Sequence, residues 1–188
     1  MKLVAWARTM AQGQLSSSLP RRWAHVQGVG ERARQAAELF SSDDQDVLIA
    51  AALLHDIGYA PHLVKTGFHS LDGAHFLASE GAPYRLCALV AHHSCAYIEA
   101  ELRGLSAELA KWTDEETALR DALWWADMST TPDGRPTNVH DRIDEIQTRY
   151  GSQDLVTFFI RQAKLGLVEA VDRTEERLRI AGLGHVAK

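Results

Sequence analysis

The sequence predicts an all-α fold, a single helical bundle of about seven to nine helices, and three observations carry that prediction. Apolar residues recur at three- and four-residue spacing along almost the whole chain, the signature of helices with one buried face. No segment shows the period-two alternation that a half-buried strand requires. No linker long enough to divide the 188 residues interrupts them, so one domain over 1–188 has room for a full core.

Each element follows from local chemistry. A first helix covers residues 2 to 14 and ends in a serine-rich loop. Pro20 suits the first turn of the second helix, where the missing amide proton has no partner to lose. Val26, Val29, Ala33 and Ala37 form the inward stripe of that helix, which runs to Phe40. Ser41 to Asp44 make a turn and N-cap for a third helix from Asp44 to Ile57. Gly58 closes it as a left-handed residue, and Pro61 blocks continuation. Helices over 70–79 and 83–93 follow, with the stretch after Ser94 helical as far as Leu102. Thr113 to Glu116 read as a capping box opening a helix that turns Leu119, Ala122, Leu123 and Ala126 inward. After a loop at 129–134, two final helices, 139–150 and 153–182, pack on a core formed by residues 20–130.

Composition removes several classes of function. Twenty basic and twenty-five acidic residues leave a net charge of −5, without any Lys/Arg-rich stretch, so no extended nucleic-acid surface is expected. The longest unbroken apolar run, Val47 to Leu54, falls far short of the roughly 20 residues of a membrane span. Arg8 interrupts what would be the apolar core of a signal peptide, which gives a cytoplasmic expectation. Cys87 and Cys95 form no C-x-x-C pair and read as reduced core thiols. Histidine is the unusual residue: seven of nine (25, 55, 62, 69, 75, 92 and 93) fall in the first half, which locates the chemistry there.

Helical geometry shows which polar groups are forced inward, because a residue shares its face with those three, four and seven positions before it. His55 follows Ala52, Ala51 and Leu48; Asp56 follows Leu53, Ala52 and Ile49; His93 follows Val90, Leu89 and Leu86. Asp127 follows Trp124 and Leu123, with Arg120 two turns before it. A carboxylate in such a place costs several kcal/mol unless it is paired or bound to a cation. Arg120 is the simplest partner for Asp127, and a backbone amide or Lys65 for Asp56. A basic side chain filling the pocket would remove the case for a metal. Two carboxylates and two imidazoles on core-facing positions favour the other answer, a divalent ion with mixed N/O ligation drawn from Fe, Mn, Ni, Co or Zn.

The residues resemble a known family. His25, the His55-Asp56 doublet within LLHDIGYAP and Asp127 within LWWADMST are similar to the H…HD…D signature of the HD-domain metal-dependent phosphohydrolases. Two further segments resemble those supplying extra histidines in two-metal members: HSLDGAHFL from His69, and ALVAHHS with His92-His93. The resemblance implies a first ion held by His25, His55, Asp56 and Asp127. A second would be held by His69 and His93, with Asp56 bridging and His92 as the alternative to His93. It also implies hydrolysis of a nucleotide or other small phosphorylated metabolite, with Asp56 orienting a hydroxide shared by two ions. Tyr59, His62 and Lys65, in and after the HDIG segment, are the candidate substrate-binding residues. The departures are informative. Tyr59 stands where many relatives carry Lys, His or Glu, and only 13 residues separate Asp56 from His69, fewer than in cyclic di-GMP phosphodiesterases. The alternative activity is a mixed-valent di-iron oxygenase on a small organic substrate, and the alternative without catalysis is a nucleotide or metal sensor. Oligomeric state is not legible in the sequence.

Overall fold

The computed structural model describes residues 3–186, and among them every regular element is helical. Residue 2 of the predicted first helix and the extreme ends of the expected domain lie outside the described residues. In chain order the helices are α1 (Leu3–Leu15), α2 (Pro20–Ala36), α3 (Ser42–Leu54), α4 (His69–Ser79) and α5 (Tyr84–Ala91). Then come α6 (Ala96–Arg103), α7 (Ser106–Leu109), α8 (Ala118–Met128), α9 (Val139–Tyr150) and α10 (Leu155–Ile180). That is ten among the described residues, one above the expected range, because Ser106–Leu109 form a single helical turn in the connection to α8. None of them is long and apolar enough to cross a membrane.

The central element is α3. Every residue from Leu48 to Leu54 is buried, so this helix is apolar all round and packs against α1, α2, α5 and α8. Its C-terminal end therefore opens into the middle of the bundle, which is where His55 and Asp56 stand. The predicted boundary needs correction here. Regular α-helix stops at Leu54, and a 3₁₀ turn over Ile57–Tyr59 follows the doublet. Gly58 is not left-handed. Its role is close approach, since a Cβ there would lie 2.0 Å from the His69 carbonyl oxygen and 2.6 Å from the Gly73 amide nitrogen. The glycine lets α4 dock directly on the doublet.

The end of α2 also differs, tightening into a 3₁₀ turn over Ala37–Leu39. The predicted capping box at Thr113 to Glu116 does not cap α8. Thr117 does, its hydroxyl accepting from the Arg120 amide, while Glu116 takes a positive φ of 45° in the preceding loop. Asn138 caps α9 and Asp154 caps α10 in the same way. The long α10 packs along α8 and α9 and is tied to α8 by buried Asp121, which receives Arg173 at 2.8 and 2.9 Å and Arg177 at 3.0 Å.

Candidate metal centre

Four imidazoles and two carboxylates from separate elements converge where α2, α3, α4, α8 and the α5–α6 turn meet. His25 comes from the middle of α2, His55 and Asp56 from the end of α3, and His69 from the first residue of α4. His93 lies in a 3₁₀ turn after α5, and Asp127 near the end of α8. His25, His55 and Asp56 offer donor atoms within 4.8 Å of one another, and so do Asp56, His69 and His93. Asp56 belongs to both groups and divides its oxygens between them. Oδ2 faces His55 Nε2 at 3.4 Å and His25 Nε2 at 3.8 Å, whereas Oδ1 faces His69 Nε2 at 3.5 Å and His93 Nε2 at 4.0 Å.

Backbone carbonyls set the histidine tautomers. His25 Nδ1 donates to Thr131 O at 3.0 Å, His55 Nδ1 to Ala52 O at 2.7 Å, and His93 Nδ1 to Val90 O at 2.7 Å. A ring that donates from Nδ1 and is neutral presents a lone pair at Nε2, so His25 and His93 aim acceptors at one volume, and His55 adds a third once its Nε2 proton is displaced. The consequence is a set of contacts that cannot all be hydrogen bonds between neutral rings. His25 Nε2 stands 3.1 Å from Asp127 Oδ1, His55 Nε2 is buried with no partner, and His69 Nε2 meets His93 Nε2 at 3.1 Å. Converging lone pairs and carboxylates are what a divalent transition metal satisfies, so the residues present fit such ions.

The electrostatics agree. Burial lowers the pKa of His25, and of His69 well below the ordinary value, with His93 adding to the effect on His69. Burial and the nearby His55 lower that of His93. His55 differs: burial opposes its charge, but Asp56 and Asp127 raise it to about 9. Burial would push both carboxyls up. Arg22, His55 and His69 overcome this at Asp56, and His25 and His55 do so at Asp127, holding each below its usual range. In the absence of a cation, the proton on His55 and the charge of Arg22 balance the two carboxylates.

The partners weighed from the sequence need correction. Arg120 turns away from Asp127 and pairs with Asp114 at 2.6 Å. Lys65 does not reach Asp56. Its side chain is exposed, and its amide donates to buried Asp72, which also receives the Thr66 and Gly67 amides and so pins this loop ahead of α4. The basic group that does reach Asp56 is Arg22, through Nη1 to Oδ2 at 2.6 Å. One guanidinium bonds one of the four carboxylate oxygens, and leaves Asp56 Oδ1 and the imidazole lone pairs unanswered.

The site opens into a cavity of about 70 Å³ walled by the metal-facing residues together with Tyr59, Ser94, Arg142 and Arg149. Of the predicted substrate-binding residues, Tyr59 lines it, stacked on His69 with centroids 4.0 Å apart and covered by the Arg22 guanidinium at 3.9 Å. His62 and Lys65 are exposed and outside its lining, because the turn from α3 into α4 carries them away from the cleft. His92 is also elsewhere. Its Nε2 donates to Trp112 O at 2.8 Å, whereas the neighbouring His93 turns its Nε2 toward Asp56 Oδ1. Cys95 is a buried thiol pushed up to about 12 by burial. Arg142 pairs with Glu145 three residues on and is buried against the cavity.

Sequence reasoning missed Arg22 and Ser94. Arg22 stands three residues before His25 on the same helical face, a signal that was available. Ser94 donates to Asp127 Oδ2 at 2.5 Å from a left-handed backbone (φ 47°, ψ 52°), for which nothing in ALVAHHS gives notice.

Residues 22–145 match the family described as HD domain, and the chain belongs to it. The HD-domain superfamily is generally one of metal-dependent hydrolases. No curated protein and no solved structure matches the chain significantly.

Proposed function

We propose that this protein is a phosphohydrolase that cleaves an ester of a small phosphorylated metabolite with two divalent transition-metal ions, drawn from Fe, Mn, Ni, Co and Zn. The observation that carries the reading is the division of Asp56. One oxygen faces His25 and His55, the other faces His69 and His93, and Arg22 and Arg142 stand at the cavity that this cluster closes. His25, His55, Asp56 and Asp127 would hold one ion, and Asp56, His69 and His93 the other. Such ions supply Lewis-acid polarisation of a phosphoryl oxygen and lower the pKa of a water nucleophile.

The remaining work belongs to the chain. Asp56, fixed between two imidazole pairs, orients the attacking water. Arg22 carries charge-assisted donors of the kind that phosphoryl oxygens accept. Ser94 keeps Asp127 in one orientation through its hydroxyl. Tyr59, whose phenol burial raises well above its ordinary pKa, stays neutral and packs one wall against His69. The buried walls exclude bulk water from the reacting group.

The test is protein loaded separately with Mn, Fe, Co, Ni or Zn and assayed against nucleotides and aryl phosphates. Phosphate release with a redox-inert ion supports the reading. No release with any of these ions overturns it, and turnover that requires both iron and dioxygen selects the oxygenase instead.

A further inference from the structure

We infer that the substrate carries a second anionic group, which binds in an outer cavity separated from the metal centre by a wall of arginines. This rests on the phosphohydrolase reading of the inner site and names its substrate class: a small bis-anionic phosphate ester. The inner cavity, about 70 Å³, is the smaller of two volumes that meet at this wall. A second cavity of about 270 Å³ adjoins it between the start of α2, the loop at Pro132 and α9. Arg22, His25, Arg142 and Arg149 line both, so the two volumes share one wall.

That wall has more donors than acceptors. Arg142 and Arg149 share a single carboxylate, Glu145, through Arg142 Nη1 and through Arg149 Nε at 3.2 Å. Arg142 is buried, and its Nε has no hydrogen-bond partner. That nitrogen is enclosed, so the group that meets an anion in the outer cavity is the exposed Arg149 guanidinium, with the buried Arg142 charge behind it. Arg22 pairs with Asp56, so cations bound by Asp56 would leave Arg22 competing for that oxygen and raise the positive excess further. Leu19, Pro20 and Pro132 give the outer cavity an apolar side suited to a short carbon skeleton, whereas the arginines meet its charged end.

The experiment compares butyl phosphonate with butane-diyl bisphosphonate, neither of which can be hydrolysed, by calorimetric titration into the Mn-loaded full chain. The expected result is about tenfold tighter binding of the bisphosphonate by the unsubstituted protein. Arg142→Gln and Arg149→Gln should each cut that ratio to under about twofold. If Arg142→Gln loses its helical circular dichroism, the Arg149→Gln ratio decides alone. Equal affinities in the unsubstituted protein, or a ratio that survives Arg149→Gln, would overturn the inference. Assay of the matching butyl phosphates separates the two readings. Preference for the bisphosphonate without phosphate release leaves the anion site standing and removes the hydrolase. Equally efficient release from the mono- and bisphosphate does the reverse.

Discussion

Arg22 Nη1 lies 2.6 Å from Asp56 Oδ2, and the guanidinium therefore bonds the carboxylate oxygen that also faces His25 and His55. An arginine at that distance opposes a cation at the same oxygen by charge and by occupancy. Arg22→Gln is expected to tighten binding of the first Mn ion by about tenfold, roughly 1.4 kcal/mol, and to weaken binding of a phosphate ester. Calorimetric titration of the metal into the apoprotein checks the first effect. Weaker metal binding in the variant would show that Arg22 positions Asp56 for the ion.

Metal binding should release a proton. Three of the four imidazoles have lowered pKa values, whereas His55 is held protonated up to about 9 by Asp56 and Asp127. A cation must displace that proton, so affinity should rise with pH toward 9, and titrations at pH 7 in buffers of different ionisation enthalpy should show about one proton released. Without metal the sign reverses. A raised histidine pKa contributes stability that is complete below its unfolded value near 6.5 and lost as pH rises through about 9. Asp56 and Asp127, held low, contribute stability present above about pH 4 and lost as pH falls further. Denaturant melts of the metal-free protein across pH 3–10 check both limbs.

Ser94 separates hydroxyl from backbone strain. Ser94→Ala removes the donor to Asp127 while keeping a side chain in the left-handed region, and should cost about 1–3 kcal/mol of stability and 10- to 100-fold in metal affinity. Ser94→Gly should recover about 1–2 kcal/mol of the stability relative to Ser94→Ala by relieving the strain. It should recover none of the metal affinity. Urea melts and metal titrations of the two variants read the two quantities independently.

Gly58→Ala should damage the second half of the site from outside it. The added methyl would meet the His69 carbonyl oxygen and the Gly73 amide, both backbone atoms that cannot turn aside. Destabilisation of at least about 1–3 kcal/mol is expected. His69 should be lost as a donor toward Asp56, so the number of ions bound per chain, measured by elemental analysis, should fall from two to one.

The sequence by itself determined the helical class and most helix positions, because three- and four-residue apolar spacing is a local property of the chain. It determined the character of α3 and the burial of His55, Asp56, His93 and Asp127, since a polar residue on an apolar helical face has no outward path. It also supplied the signature by which the chain belongs to its family. Tertiary structure decided what no local pattern encodes. Whether Asp127 meets Arg120 or His25 depends on how α8 lies against α2, and whether Lys65 or Arg22 reaches Asp56 depends on where the loop before α4 is pinned. The Ser94 hydroxyl reaches Asp127 from a left-handed turn at Ser94 and Cys95, a conformation for which Ser and Cys carry no general preference. The arginine wall assembles from α2 and α9, more than a hundred residues apart, and long-range docking of that kind leaves no periodic trace in a sequence.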